Sequence, residues 1–125
     1  MELNGETLRF IREHCKDDVR SLALQAPKYP GVDMPVALTQ IAGRQAAAEK
    51  IPSWHEEEGV LYPRHLSLEQ CSSEATARYK ASIIPESSSG TLTDLTGGFG
   101  IDCAFLSPRF HHVTYVERQE VLCEI

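Results

Sequence analysis

The sequence lacks the features that define several large classes of protein. No apolar run approaches the roughly 18 residues that a membrane-spanning helix needs, and residues 1–15 carry charges throughout instead of the apolar core of a signal peptide. The cysteines lie far apart, which argues against a CxxC redox motif and a zinc knuckle; they are Cys15, Cys71, Cys103 and Cys123. We therefore expect a soluble, cytoplasmic protein with reduced thiols.

The chain also has little positive charge. It carries 12 lysines and arginines against 18 aspartates and glutamates, which gives a net charge of −6. The imbalance is greatest in residues 81–125, which contain two basic and six acidic side chains. A surface that binds phosphate backbones usually has a basic patch, and the sequence shows none. If the protein acts on nucleic acid, we expect the basic groups to lie elsewhere.

A metal-binding motif is absent as well. His55-Glu56-Glu57-Glu58 resembles the start of an HExxH motif, but Gly59 occupies the position of the second histidine. A solvated run of charges is the simpler interpretation, and we predict no metal site.

The N-terminal part of the chain is predicted to form short helices. Apolar residues recur at helical spacing in 6–15 and in 18–26, where Asp17 can serve as the N-cap of the second helix. A third helix is predicted over 34–50 because Asp33 can cap it and its alanines favour helix.

The pattern becomes helical again after a linker over 51–65. Ser67 and Gln70 fit a capping box, and Ser73 is the candidate N-cap of a further helix. Together these segments predict a helical N-terminal domain over residues 1–84.

The composition changes at residues 85–90, PESSSG, which we interpret as a polar turn at a domain boundary. The predicted elements beyond it are a strand over 91–96, a helix over 100–107, a strand over 111–118 and a helix from 119. This order is typical of the opening of a parallel α/β sheet. We therefore predict an α/β protein in which the helical domain precedes the first βαβα units of a Rossmann-like domain, 85–125, which is incomplete.

TDLTGGFGIDCAFL, residues 93–106, is the most informative stretch of the sequence. Glycines between a strand and a helix let the backbone approach a ligand where a Cβ would clash, and we call residues 94–100 the glycine turn. Glu117 ends the second strand about 20 residues later, where an acid typically binds ribose hydroxyls. The pattern predicts a nucleoside cofactor, with a bare βα turn that binds nothing as the alternative.

Two kinds of nucleoside cofactor are compatible with such a turn. Residues 98–103, GFGIDC, lack the last glycine of the dinucleotide fingerprint GxGxxG. Asp94 ends the first strand, where its carboxylate would repel a pyrophosphate and suit the ammonium of an amino acid. S-adenosylmethionine has such an ammonium and a ribose, so we predict it in preference to NAD.

DLTGGFGID together with YVER resembles the first two motifs of class I S-adenosylmethionine-dependent methyltransferases. Asp94, Gly98 and Gly100 match the pattern acid-x-Gly-x-Gly-x-Gly, and Thr96 replaces its first glycine. This stretch resembles the family variant D-x-T-x-G-x-G-x-D-A-F followed by Glu-Arg, which looks like that of small-subunit ribosomal RNA guanine-N2 methyltransferases, where a Thr occupies the place of Thr96. QCSSEATARYKAS is similar to a segment of bacterial methyltransferases that carry a THUMP-like RNA-binding domain.

The resemblance implies a methyltransferase that acts on RNA and a set of cofactor-binding residues. The glycine turn would cradle the methionine part of S-adenosylmethionine, and Glu117 would bind the ribose hydroxyls. The complete candidate set is Asp94, Thr96, Gly97, Gly98, Phe99, Gly100, Asp102, Glu117 and Arg118.

The resemblance also implies that part of the fold is absent. The class I fold has seven strands, of which two are predicted here, and the Asn/Asp-Pro-Pro-aromatic motif of base-modifying members does not occur. Because parallel sheets are normally covered on both faces, we expect an N-terminal fragment, inactive and weak in cofactor binding alone, with the catalytic residues beyond Ile125. Two alternative functions stay open: a non-catalytic helical module that binds protein or RNA, and an NAD-dependent oxidoreductase.

Overall fold

The computed structural model describes residues 3–86 and 90–125, so the serines at 87–89 of the predicted boundary turn lie outside the described residues. In the described ranges the α-helices are α1 Gly5–Glu13, α2 Val19–Leu24, α3 Met34–Lys50, α4 Pro52–His55, α5 His65–Gln70, α6 Glu74–Ser82, α7 Ile101–Leu106 and α8 Glu120–Cys123. The strands are β1 Thr91–Asp94 and β2 His112–Tyr115, and short 3₁₀ turns follow α2 and α7.

Helix α3 is the longest of these helices and contributes to two hydrophobic clusters. Its predicted bounds are confirmed, and Asp33 accepts a hydrogen bond from the Val36 N–H at 3.3 Å, as a cap should. The first cluster packs α1, α2 and the first half of α3 together; it consists of Phe10, Leu22, Met34, Ala37 and Ile41. The second, which we call the junction cluster, consists of Ala47, Ile51, Tyr62, Leu68, Ala77 and Ile101.

The junction cluster joins the helical segment to the α/β segment. Ala77 of α6 is fully buried and Ile101, the first residue of α7, is 2% exposed. Among the described helices, α6 and α7 form the most extensive contact. The predicted division of the chain at residues 84 and 85 stays a prediction, and the two parts share this core.

The predicted cap at Asp17 is wrong. Asp18 is the N-cap of α2, and its carboxylate accepts from the Ser21 N–H at 2.9 Å. Asp17 lies 2.6 Å from the His14 ring nitrogen instead. Two adjacent aspartates have the same capping chemistry, so the sequence cannot distinguish them until the partner of one is known.

The capping box at Ser67 is also wrong, whereas the cap at Ser73 is confirmed. Helix α5 begins at His65, and the Arg64 carbonyl accepts from the Ser67 N–H at 3.0 Å, which places Ser67 inside the helix. Ser73 accepts from the Thr76 N–H at 3.2 Å and precedes α6 directly.

The predicted linker over 51–65 contains the short helix α4. A residue far away in the sequence caps its first turn: the Ser53 N–H and hydroxyl both donate to the Glu74 carboxylate at 2.9 Å. The Arg78 guanidinium donates two further bonds to Glu74, at 2.9 and 2.8 Å. The Ser53 N–H is the main cause that lowers the pKa of Glu74. A cap that is 21 residues away has no local sequence signature.

The two strands pair in parallel, which confirms the predicted sheet. The register runs from Thr91 opposite His112 to Asp94 opposite Tyr115, and residues alternate between exposed and half-buried along both strands. Both strands are shorter than predicted. The result is a helix-rich α/β architecture with a small parallel sheet, in which none of the described helices is long and apolar enough to cross a bilayer.

A buried amide attaches the segment before α5 to α3. The Gln40 side chain accepts from the Tyr62 N–H at 2.8 Å and donates to the Tyr62 carbonyl at 3.0 Å. Gly43 lies beneath the same tyrosine, where an added Cβ would be 2.3 Å from the Tyr62 Cβ. These contacts need an amide and a glycine on one face of α3.

We predict that Gln40→Met destabilises the fold by about 2–4 kcal/mol, because two buried backbone groups lose their partners. Urea unfolding monitored by Trp54 fluorescence measures the change. Gln45→Met is the matched control: Gln45 is exposed and donates to the Cys15 and Asp17 carbonyls, so its loss should cost less than about 1 kcal/mol. Equal losses in the two variants would contradict the assignment of the buried amide.

Candidate functional site

The backbone of the glycine turn requires glycine at two positions. Gly98 has φ +54° and Gly100 has φ +82°, in the left-handed region that side chains disfavour. The Gly100 N–H donates to the Gly97 carbonyl at 2.8 Å, and Gly100 then precedes the first residue of α7. The turn therefore reverses the chain tightly between β1 and α7, as the sequence predicts.

Gly97 is required for a different reason, the approach of an aromatic ring. It is buried, and a Cβ added to it would lie 2.1 Å from the ring of Tyr115 on β2. The Tyr115 hydroxyl donates to the Gly98 carbonyl. Burial raises the pKa of Tyr115, which keeps the hydroxyl protonated as a donor. Tyr115 thus holds the glycine turn against β2 through ring packing and a hydrogen bond.

Glu117 lies against the turn, just beyond the end of β2. One carboxylate oxygen accepts from the Gly98 N–H and the other from the Gln119 N–H, both at 2.8 Å. These backbone donors, Gln119 first, lower the pKa of Glu117, so the group is ionised at neutral pH. The turn and the acid, which are 19 residues apart, form one unit.

Asp94 has a structural contact in the turn. Its carboxylate accepts from the Thr96 N–H at 3.0 Å, and its carbonyl accepts from the Val116 N–H at 2.9 Å. The Gly97 N–H in turn donates to the Val116 carbonyl at 2.9 Å. The parallel pairing therefore continues past both strands and into the turn.

A cleft of about 450 Å³ opens between the glycine turn and the segment that runs from α5 to α6. Glu117 and the α8 segment form another side. The lining residues are Ser67, Gln70, Cys71, Ser72, Lys80, Thr96, Gly97, Gly98, Phe99, Gly100, Ile101, Asp102, Glu117, Gln119 and Leu122. The cleft therefore belongs to both parts of the chain.

Three polar side chains form a triangle at this cleft. The Asp102 Oδ2 accepts from the Ser72 hydroxyl and from the Lys80 ammonium, and the ammonium also donates to the Ser72 Oγ, all at 3.0 Å. The Asp102 Oδ1 is buried and has no hydrogen-bond partner among the described residues. The triangle joins α7 to the helical segment by charge as well as by packing.

Aromatic contacts fix the outer side of the turn. The Phe99 ring lies edge-on to Trp54 with centroids 5.3 Å apart, and it is 6.0 Å from the Tyr62 ring. Trp54 also stacks on Phe105 of α7 at 6.3 Å. Trp54 and Tyr62 therefore belong to the packing around the turn.

The structure brings most of the sequence-predicted site residues together. Those that line the cleft are Thr96, Gly97, Gly98, Phe99, Gly100, Asp102 and Glu117. Asp94 and Arg118 do not line it. Sequence reasoning missed Lys80, because a lysine within a helix has no motif that marks it as a ligand-binding residue. In residues 3–86 and 90–125, no group of three side chains is placed to bind a metal ion.

Comparison with known proteins gives one informative match. No protein-family model and no curated protein matches the chain. A solved structure of a candidate methyltransferase from Porphyromonas gingivalis W83 is similar to it, with 28% sequence identity and a TM-score of 0.71. The match covers 91% of this chain and 28% of the other, so this chain spans under a third of that protein's length. The likeness supports a methyltransferase fold for this chain.

We predict that Gly97→Ala destabilises the fold by about 1–3 kcal/mol, the usual cost of forcing a methyl group into a packed site. The Cβ would meet the Tyr115 ring. Gly59→Ala is the matched control, since a Cβ at Gly59 meets nothing within 4 Å. Chemical unfolding of both variants measures the difference, and a Gly97→Ala variant as stable as Gly59→Ala would contradict the close approach.

Proposed function

We propose that the chain contains the cofactor site of a class I S-adenosylmethionine-dependent methyltransferase with a Rossmann-like fold, and that the whole protein acts on RNA. The observation that carries the proposal is the Glu117 carboxylate, which lies 2.8 Å from the Gly98 N–H at the edge of the cleft. The methyltransferase fold of the solved relative supports it.

Glu117 has the capacity to bind two hydroxyl groups. An ionised carboxylate offers about four lone-pair sites, and backbone N–H groups occupy two of them here. Ribose presents two neighbouring hydroxyl donors, which match the two sites that remain. Since its lowered pKa keeps Glu117 ionised, these would be charge-assisted hydrogen bonds, the stronger kind.

The charge of the cleft favours S-adenosylmethionine over NAD. The charged lining side chains are Lys80, Asp102 and Glu117, which sum to −1. A pyrophosphate would bring two further negative charges into this surface, whereas S-adenosylmethionine carries a sulfonium and an ammonium against one carboxylate. The cleft volume of about 450 Å³ is within the usual range for small-molecule sites.

The roles of this chain's residues are binding and orientation. S-adenosylmethionine supplies an electrophilic methyl group on a sulfonium sulfur. The glycine turn lets the backbone approach the methionine part, Glu117 orients the ribose, and the packing of Phe99 on Trp54 fixes the turn. We assign no catalytic residue to the described ranges.

RNA as the methyl acceptor rests on the motif resemblance alone. Residues 81–125 are acidic, so the basic groups that bind a phosphate backbone would have to come from another part of the protein. The helical segment contributes Ser72 and Lys80 to the cleft, which supports a role in the cofactor site over a separate interaction module.

We predict that S-adenosylmethionine binds the chain and that Glu117→Gln weakens binding by about 10–100-fold, the cost of losing charge-assisted hydrogen bonds. An NMR titration that follows the Gly98 and Gly100 amide signals detects even weak binding. Glu120→Gln is the matched control, because Glu120 is exposed and does not line the cleft.

Three results of this titration would contradict the proposal. NAD could bind more tightly than S-adenosylmethionine, which would favour the oxidoreductase alternative. Glu117→Gln could bind as well as the unchanged chain, which would remove the acid from the site. The third such result is that neither ligand, at millimolar concentration, changes the chemical shifts of the Gly98 and Gly100 amides, which would leave the turn without a nucleoside ligand.

A further inference from the structure

Lys80 is the one cationic side chain that lines the cleft among the described residues. It belongs to α6, in the helical segment, yet its ammonium lies 3.0 Å from Asp102 on α7. Its side chain is 43% exposed and that of Asp102 is 32% exposed, so the pair is reachable from the cleft and only partly screened by solvent.

The geometry leaves part of the lysine unused. An ammonium has three N–H donors, and Lys80 gives two of them to the Ser72 Oγ and the Asp102 Oδ2. One donor therefore remains for a ligand. The two contacts also immobilise a long, flexible side chain, which lowers the entropy cost of binding an anion with it.

We propose that Lys80 forms the carboxylate-binding subsite of the cleft, with Ser72 and Asp102 as positioning residues. This inference rests on the proposed function and deepens it: the ligand group is the α-carboxylate of the cofactor's methionine part. The ligand would then extend between two ends of the cleft, with its hydroxyls at Glu117 and its carboxylate at Lys80.

Charge supports a single carboxylate at this position. The Lys80–Asp102 pair has no net charge, so it does not attract a polyanion over a distance. The free N–H of the ammonium can still donate one hydrogen bond to a single carboxylate. The packing of α6 on α7 brings this subsite to the cleft. The helical segment contributes the part of the site that the glycine turn cannot supply, because that turn presents no cationic side chain.

The test compares S-adenosylmethionine with its decarboxylated analogue, which keeps the nucleoside, the sulfonium and the amine. We expect the unchanged chain to bind S-adenosylmethionine at least about tenfold more tightly, the worth of one charge-assisted hydrogen bond. Lys80→Met should reduce this ratio to about one. Lys28→Met is the matched control, since Lys28 does not line the cleft.

Variants of the triangle separate a positioning role from a structural one. Lys80→Arg keeps the charge and should keep much of the ratio, whereas Asp102→Asn and Ser72→Ala should lower it severalfold by releasing the lysine. The ratio is the relevant measurement because a general loss of folding weakens both ligands equally. Lys80→Arg also keeps the test decisive if Lys80→Met is less stable.

The outcomes distinguish the two levels of the proposal. If the unchanged chain binds neither nucleoside, the proposed function fails and the subsite fails with it. If S-adenosylmethionine binds and Lys80→Met keeps the full preference over the decarboxylated analogue, the subsite is overturned and the proposed function stands. A ratio near one in the unchanged chain likewise overturns the subsite.

Discussion

The packing of α7 on α6 is the constraint on which the candidate site depends. Ile101 begins α7 directly after the glycine turn and is buried against Ala77 of α6 in the junction cluster. Burying a side chain of this size stabilises a fold by about 1.5–3 kcal/mol. Because Ile101 is adjacent to Gly100, the same contact that stabilises the core also fixes where the turn lies and what faces it.

Polar contacts add to this packing and connect the same elements. The Ser72–Lys80–Asp102 triangle spans the same α6–α7 interface on the side that faces the cleft. Tyr115 and Glu117 fix the turn from β2 through its Gly98 carbonyl and N–H. The turn is thus fixed by hydrogen bonds from Tyr115 and Glu117 on one side and, through α7, by the contact with α6 on the other.

The sequence predicts best where the cause of a structure is local. Asp33 starts α3 as expected, and the glycines give the turn that they predict, because caps and positive φ angles depend on neighbouring residues. The parallel pairing of the two strands also follows from their order. The misplaced cap at Asp17 shows the limit of such reasoning where adjacent residues have the same chemistry. Ser67 fails for another reason, because α5 begins after Arg64 with no side-chain cap and contains Ser67.

The parts that the sequence does not reveal depend on distant contacts. Helix α4 is capped by Glu74, and Lys80 reaches the cleft only because α6 packs on α7. Both residues lie in the QCSSEATARYKAS segment, but nothing in its pattern marks Glu74 as a cap for α4 or Lys80 as a cleft residue, so only the tertiary structure assigns these contacts. The helical segment is accordingly the least predictable part of the candidate site, although it contributes five of the fifteen residues that line the cleft.

We propose that the glycine turn and Glu117 bind a nucleoside together, and a crystal structure of the chain with S-adenosylhomocysteine would test this binding mode. We expect both ribose hydroxyl oxygens within about 3.2 Å of the Glu117 carboxylate, with the methionine part along the glycine turn. A ligand bound elsewhere, or one in the cleft with its hydroxyls directed away from Glu117, would show that the acid does not bind the ribose.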